Sequence, residues 1–96
     1  MKCYIYKIVN QITNEKYVGQ TTNFSRRKKD HLFALRNNKH INPKLQNAWN
    51  KYGEDSFYWE YKSYDLTKEE LDNLEIETIE IENSYTNGYN LTKGGT

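Results

Sequence analysis

Two runs of alternating residues constrain this chain more than anything else in it. From Tyr4 to Val9 apolar and aromatic side chains alternate with polar ones, and the pattern returns around Tyr17-Val18-Gly19. A period of two marks a half-buried strand, and the polar stretch Gln11-Ile12-Thr13-Asn14-Glu15 between the runs makes the pair a β-hairpin. Successive side chains of a strand point to opposite faces, so Tyr4 and Tyr6 are expected on one face and Ile5 and Ile8 on the other. The tyrosine face is the candidate active face.

Helix signals follow the hairpin. Thr21-Thr22-Asn23 offers N-caps, and residues 23–37 read as a helix with Phe24, Leu32 and Leu35 in one stripe. Arg27 and His31, at i and i+4, share the edge of that stripe. A guanidinium there suits a phosphate, with its fixed fork of donors, and an imidazole beside it suits hydrogen bonding or proton transfer. The plainer reading makes Arg26-Arg27-Lys28-Lys29 a solvated basic run and His31 a border histidine. Asn42-Pro43 starts a second helix, 42–52, with Leu45, Ala48, Trp49 and Tyr52 as its core stripe and Gly53 as its stop. His40, just before it, has no ligand partner in the pattern and reads as surface. Ser56–Tyr64 reads as a third strand, with Trp59 and Tyr61 on its packing face.

The third helix, 67–82, carries the clearest start signal. Thr67 and Glu70 form a capping box, and Leu66 and Leu71 are placed as a hydrophobic staple. Leu71, Leu74, Thr78 and Ile79 form its stripe, with Ile81 at the edge. Glu75 falls inside that stripe, where a carboxylate is costly unless something compensates it. A bound cation is one compensation; in a helix so rich in glutamate, chance placement is the other. Asn87-Gly88 then reads as a tight turn, and Tyr89–Leu91 as a short extended piece that returns to the sheet.

Tyr4-Ile5-Tyr6 with Tyr17-Val18-Gly19, then Arg27 and His31, Glu75, and Gly88-Tyr89-Asn90, occur in that order over essentially the whole chain. Together they resemble the GIY-YIG nuclease domain of intron-encoded homing endonucleases. The first triplet departs from the motif, with Tyr4 where the family has glycine, while the tyrosine that would do chemistry, Tyr6, is present.

The resemblance implies an α/β (α+β) domain over residues 1–91, a small three-stranded, mainly antiparallel sheet flanked by three helices, with 92–96 as the start of a linker. It implies a metal-dependent DNA endonuclease that cuts one strand per site. Tyr6 would be the general base, Tyr17 a hydrogen-bond partner of water or phosphate, Arg27 the phosphate ligand and His31 its assistant. Glu75 would hold one divalent ion, Mg2+ with Mn2+ as the alternative, and Asn90 would orient Tyr6 or the phosphate. Lys16, Arg26, Arg27 and Lys28 would contact DNA. A tyrosine titrates near pH ~10, so Lys16, Arg27 and the metal are expected to lower Tyr6 by a few units. Further DNA-binding modules, common in such proteins, are expected to lie outside this chain. Homing, restriction and repair all remain open as roles.

Charge and composition bound the alternatives. Net charge is only +1, which by itself argues against a general nucleic-acid binder. Its distribution is uneven: residues 1–60 hold 11 Lys/Arg against 5 Asp/Glu, and residues 61–96 hold 3 against 8, so +6 and −5 make the +1. The basic part can face phosphates and the acidic part a cation, or both are solvated surface. The length fits one domain able to bury about 60–65% of its unfolded surface. One cysteine, Cys3, excludes an internal disulfide and points to a reducing, intracellular compartment. No apolar run approaches the ~18 residues of a membrane span. Against the nuclease stands a binding module that kept the fold and lost the reaction; a protein-interaction domain would leave the ordered motif residues as coincidence.

Overall fold

The computed structural model describes residues 1–94, so the end of the linker expected at 92–96 lies outside the described residues. Strand β1 (Lys2–Asn10) is followed by β2 (Lys16–Thr21), helix α1 (Phe24–Arg36), helix α2 (Pro43–Tyr52), a 3-10 turn at Glu54–Ser56, strand β3 (Phe57–Asp65) and helix α3 (Lys68–Glu82). The sheet order is β2-β1-β3, and both pairings are antiparallel. The expected three-stranded sheet with three helices is therefore the observed fold.

Because β1 is central, each of its faces must be covered. On one face Tyr6 and Ile8 pack with Leu35 of α1, Leu45, Ala48 and Trp49 of α2, Phe57 and Tyr89. On the other Cys3 and Ile5 pack with Val18, Leu71 and Ile79, the last two from α3. Ile8 thus lies with Tyr6 and not with Ile5, a correction that strict alternation requires, since 4, 6 and 8 share a face. Trp49 is core, as its helical spacing indicated.

Local chemistry fixes the ends of the elements. The Asn10 side-chain oxygen accepts from the Ile12 N–H at 2.9 Å, and Asn14 takes the left-handed conformation that closes the hairpin. Asn23 caps α1, Asn42 caps α2 ahead of Pro43, and both halves of the Thr67–Glu70 capping box form. Gly53, at φ +86°, ends α2 in a conformation other residues resist. Ile81 departs from expectation, being exposed past the edge of the α3 stripe.

Residues 89–91 do not form a fourth strand. Tyr89 N–H donates to Lys16 O at 2.9 Å, and then the Asn90 side chain takes over: its Oδ1 accepts from Val18 N–H at 2.8 Å and its Nδ2 donates to Val18 O at 2.9 Å. One side chain thus does the pairing of a strand residue on the free edge of β2. The approach requires Gly88, where a Cβ would stand 2.6 Å from Lys16 O and 2.7 Å from Ser84 O.

Candidate active site

The site is built where β1, β2 and α1 meet. Tyr6 lies opposite Gly19 in the β1–β2 ladder, and a Cβ on residue 19 would stand 2.4 Å from both Cζ and Oη of Tyr6. The missing side chain leaves the space that the phenol ring fills. Phe24 and Trp59 hold the ring from the sides, with centroids 5.8 and 6.4 Å away. Tyr6 is 1% exposed, and its hydroxyl meets His31 Nε2 at 2.7 Å. Tyr4, in the place of the motif glycine, packs its ring on Phe24 and Tyr61.

An open cleft of about 550 Å³ lies beside this pair, lined among others by Tyr17, Arg27, His31, His40, Ile41 and Asn90. Helical spacing explains two of them: Arg27 and His31 are one turn apart on α1, so His31 faces the core and Arg27 reaches solvent at the cleft mouth. The Tyr17 ring meets His31 edge to face at 5.7 Å between centroids and lies 6.3 Å from the Tyr6 ring. Glu75 is buried at 8% exposure and acts electrostatically on both tyrosines.

Burial governs the titration of these groups. It raises Tyr6 and Tyr17, and neighbouring negative charge adds to this; Arg27 opposes the rise without overcoming it. Of the cations expected to lower the tyrosine, Arg27 acts in that direction, and by itself it does not outweigh burial. Lys16 takes no part in it, because its Nζ lies 3.5 Å from Glu82, beside Lys7, which also pairs with Glu82. His31 is pushed down to about 3, first by burial and then by His40 and Arg27, so it is neutral near neutrality.

Of the residues singled out in the sequence, the structure brings together Tyr6, Tyr17, Arg27 and His31, with Asn90 in the cleft wall and Glu75 within electrostatic reach. Asn90 spends its amide on Val18. Arg26 lines a neighbouring hollow that shares Arg27. Lys28 lies apart, its ammonium over the Trp59 ring at 5.6 Å. The residue missed is His40. It is half-buried, and its Nε2 lies 2.7 Å from His31 Nδ1, with the two rings stacked at 11°. The short connection 37–42 between α1 and α2 was the available signal, since it must fold back along the last turns of α1.

A divalent ion would rest on Glu75. Among the described residues no group of three or more acidic, histidine or cysteine ligands is gathered for a metal. That donor set fits magnesium, which keeps several waters and needs one or two carboxylates plus substrate phosphates, and does not fit zinc.

In this small α/β domain Tyr17, Arg27 and His31 line one cleft, with Tyr6 bonded behind His31 and the Glu75 carboxylate within electrostatic reach. The GIY-YIG catalytic domain family matches residues 2–90. The chain is 35% identical over 92 residues to a probable intron-encoded endonuclease 1 of Neurospora crassa, covering 90% of this chain and 27% of that protein. It is 34% identical over 91 residues to intron-associated endonuclease 1 of Enterobacteria phage T4, covering 95% of this chain and 37% of that protein. The chain thus spans about a quarter to two-fifths of the length of these relatives. Among solved structures it superposes on the catalytic domain of intron endonuclease I-TevI, in its E75A mutant form, with a TM-score of 0.87 at 33% identity, covering 97% of this chain and 96% of that one. A second structure of the catalytic domain of that homing endonuclease gives a TM-score of 0.86 at 32% identity, covering 92% and 96%. The chain belongs to the GIY-YIG catalytic domain family, a family of nucleases.

Proposed function

We propose that the domain hydrolyses phosphodiester bonds of DNA with the help of one divalent ion, one strand per site, as the catalytic part of a homing-type endonuclease. The observation that carries this reading is the convergence on one cleft of an exposed guanidinium, Arg27, with the buried pair Tyr6 and His31 joined at 2.7 Å. The fork of Arg27 takes the non-bridging oxygens of the scissile phosphate, at the mouth where DNA can reach it. Tyr17, which lines the cleft, holds the attacking water. Tyr6 first gives its phenolic proton to solvent through the cleft. As the phenolate it is the general base that takes the water proton across the Tyr17 hydroxyl, the water oxygen bonds to phosphorus, the P–O3′ bond breaks, and the departing 3′ oxygen takes a proton from solvent. Glu75 holds the divalent ion, Mg2+ or Mn2+, which when bound supplies positive charge to the phosphate and the departing oxygen. That charge also offsets the burial that otherwise keeps Tyr6 a phenol.

Phosphate contacts come from Arg27 and Arg26. Lys16 and Lys28 are engaged by Glu82 and Trp59, which limits them to outer electrostatic attraction. Sequence reading is assigned to parts of the protein outside this domain, in keeping with the larger size of the relatives. No described helix is long and apolar enough to cross a membrane; the lone, buried Cys3 suits a reducing, intracellular setting.

The test is nicking of supercoiled plasmid with and without magnesium by the native chain, Glu75→Ala and Tyr6→Phe. Metal-dependent nicking that disappears in both variants is the expected result. A native chain that binds duplex yet never nicks it points to the second reading, a binding module.

A further inference from the structure

We propose that His40 is a positioning residue, which sets the hydrogen-bond polarity of the site through a wire that begins at the backbone of Asn42 and ends on the hydroxyl oxygen of Tyr6. The inference rests on the reading of Tyr6 as general base and extends it to a residue that reaches Tyr6 only through His31.

The polarity follows from one fixed donor. The backbone N–H of Asn42 lies 3.0 Å from His40 Nδ1, and a backbone N–H can only donate. Nδ1 of His40 therefore carries a lone pair, and the neutral ring bears its hydrogen on Nε2. That Nε2–H faces His31 Nδ1 at 2.7 Å, so Nδ1 of His31 is the acceptor and its hydrogen in turn sits on Nε2. Nε2 of His31 faces Tyr6 Oη at 2.7 Å, so the tyrosine oxygen receives an N–H. Both imidazoles are held below their ordinary pKa, first by burial, which keeps them neutral and makes the tautomer a real choice.

The anchor of the wire is rigid. Asn42 is the cap of α2, its Oδ1 accepting from Leu45 N–H at 3.1 Å. The His40 backbone N–H donates to Gln46 Oε1 at 2.9 Å, and Gln46 Nε2 donates to Leu35 O at 3.1 Å, tying the loop to α1. The start of α2 thus dictates the proton arrangement on α1 and β1.

Two consequences follow for Tyr6. Its own hydrogen cannot point at His31 and is turned to Tyr17 and the cleft, the direction from which water arrives. When that proton leaves, the phenolate meets a preformed N–H donor with no rearrangement. With the wire reversed, His31 would accept from the phenol and hold it facing away from the cleft.

The experiment is a long-range 15N–1H correlation of the histidine ring nitrogens in the whole chain near pH 7, with His40→Ala and His40→Gln nicking followed in single turnover. In the native chain both rings are expected as Nε2–H tautomers. His40→Ala should free His31 to populate Nδ1–H and slow nicking roughly 10–100-fold, as removal of an orienting partner commonly does, with plasmid affinity unchanged. His40→Gln, whose amide N–H can replace the donor, should recover part of that loss. A native His31 found as Nδ1–H or as a cation overturns the inference, as does native-rate nicking by His40→Ala. If the native chain does not nick at all, the nuclease reading fails, and the ring tautomers still decide the wire.

Discussion

Gly19 and Tyr6 occupy one another's space: they face each other across the β1–β2 ladder, and the phenol tip of Tyr6 fills the volume a side chain at residue 19 would need. Tyr6 cannot retreat, because Phe24, Trp59 and His31 enclose it. Gly19→Ala should therefore displace the ring, break the 2.7 Å contact to His31 and cost about 1–3 kcal/mol of stability through overpacking. Urea unfolding together with plasmid nicking checks this; a Gly19→Ala variant as stable and as active as the native chain would contradict it.

Acid should weaken the fold through His31. In the unfolded chain it titrates near ~6.5, and in the folded chain at about 3, so between these values the unfolded state binds a proton that the folded state excludes. The stabilisation is whole above about pH 6.5 and is lost as pH falls toward 3, with a slope approaching ~1.4 kcal/mol per pH unit. His40, lowered as well, adds in the same direction. Urea midpoints measured between about pH 7.5 and 4 should fall, and His31→Gln should flatten the decline; an equal decline in that variant rejects the assignment.

Asn90→Ala should leave Val18 N–H and O without partners at a buried position. The expected loss is about 1–3 kcal/mol, with faster exchange of the Val18 amide as its local signature. Unchanged exchange at Val18 would show the edge to be held by Tyr89 alone.

Binding to duplex DNA should be weak and strongly salt-dependent. Arg27→Ala and Arg26→Ala should each reduce the slope of log K against log salt by about 0.9, the amount for one phosphate contact, while Lys28→Ala should leave it nearly unchanged. Fluorescence anisotropy over a salt series gives the slopes.

Features with a local cause were legible in the sequence. The Thr67–Glu70 box, the Asn42-Pro43 start and the Gly53 stop each depend on residues within one turn, so their spacing carried them. Alternation showed β1 and β2, and strict application of the same rule puts Ile8 beside Tyr6. The strand order was not legible, since period two says nothing about which edge β3 joins. Glu75 stood out as a carboxylate inside an apolar stripe, and its burial agrees. The rise in Tyr6 could not be read, and the stacking of His40 on His31 was signalled only by the shortness of the 37–42 connection, because both arise from tertiary closure. The first depends on how deeply the sheet is covered, and the second on the path of a loop between two helices.

The Asn90 clasp on Val18 also bears on how these molecules behave toward one another. Outer strands with free N–H and C=O groups invite another chain to pair with them and begin aggregation. With Tyr89 bonded to Lys16, and the Asn90 amide covering both polar groups of Val18, the β2 border offers a second molecule little to pair with. The opposite border, β3, alternates charge in Glu60 and Lys62 with the exposed rings of Tyr58 and Tyr61. Loss of Asn90 would thus open a new site for self-association as well as loosen the cleft wall.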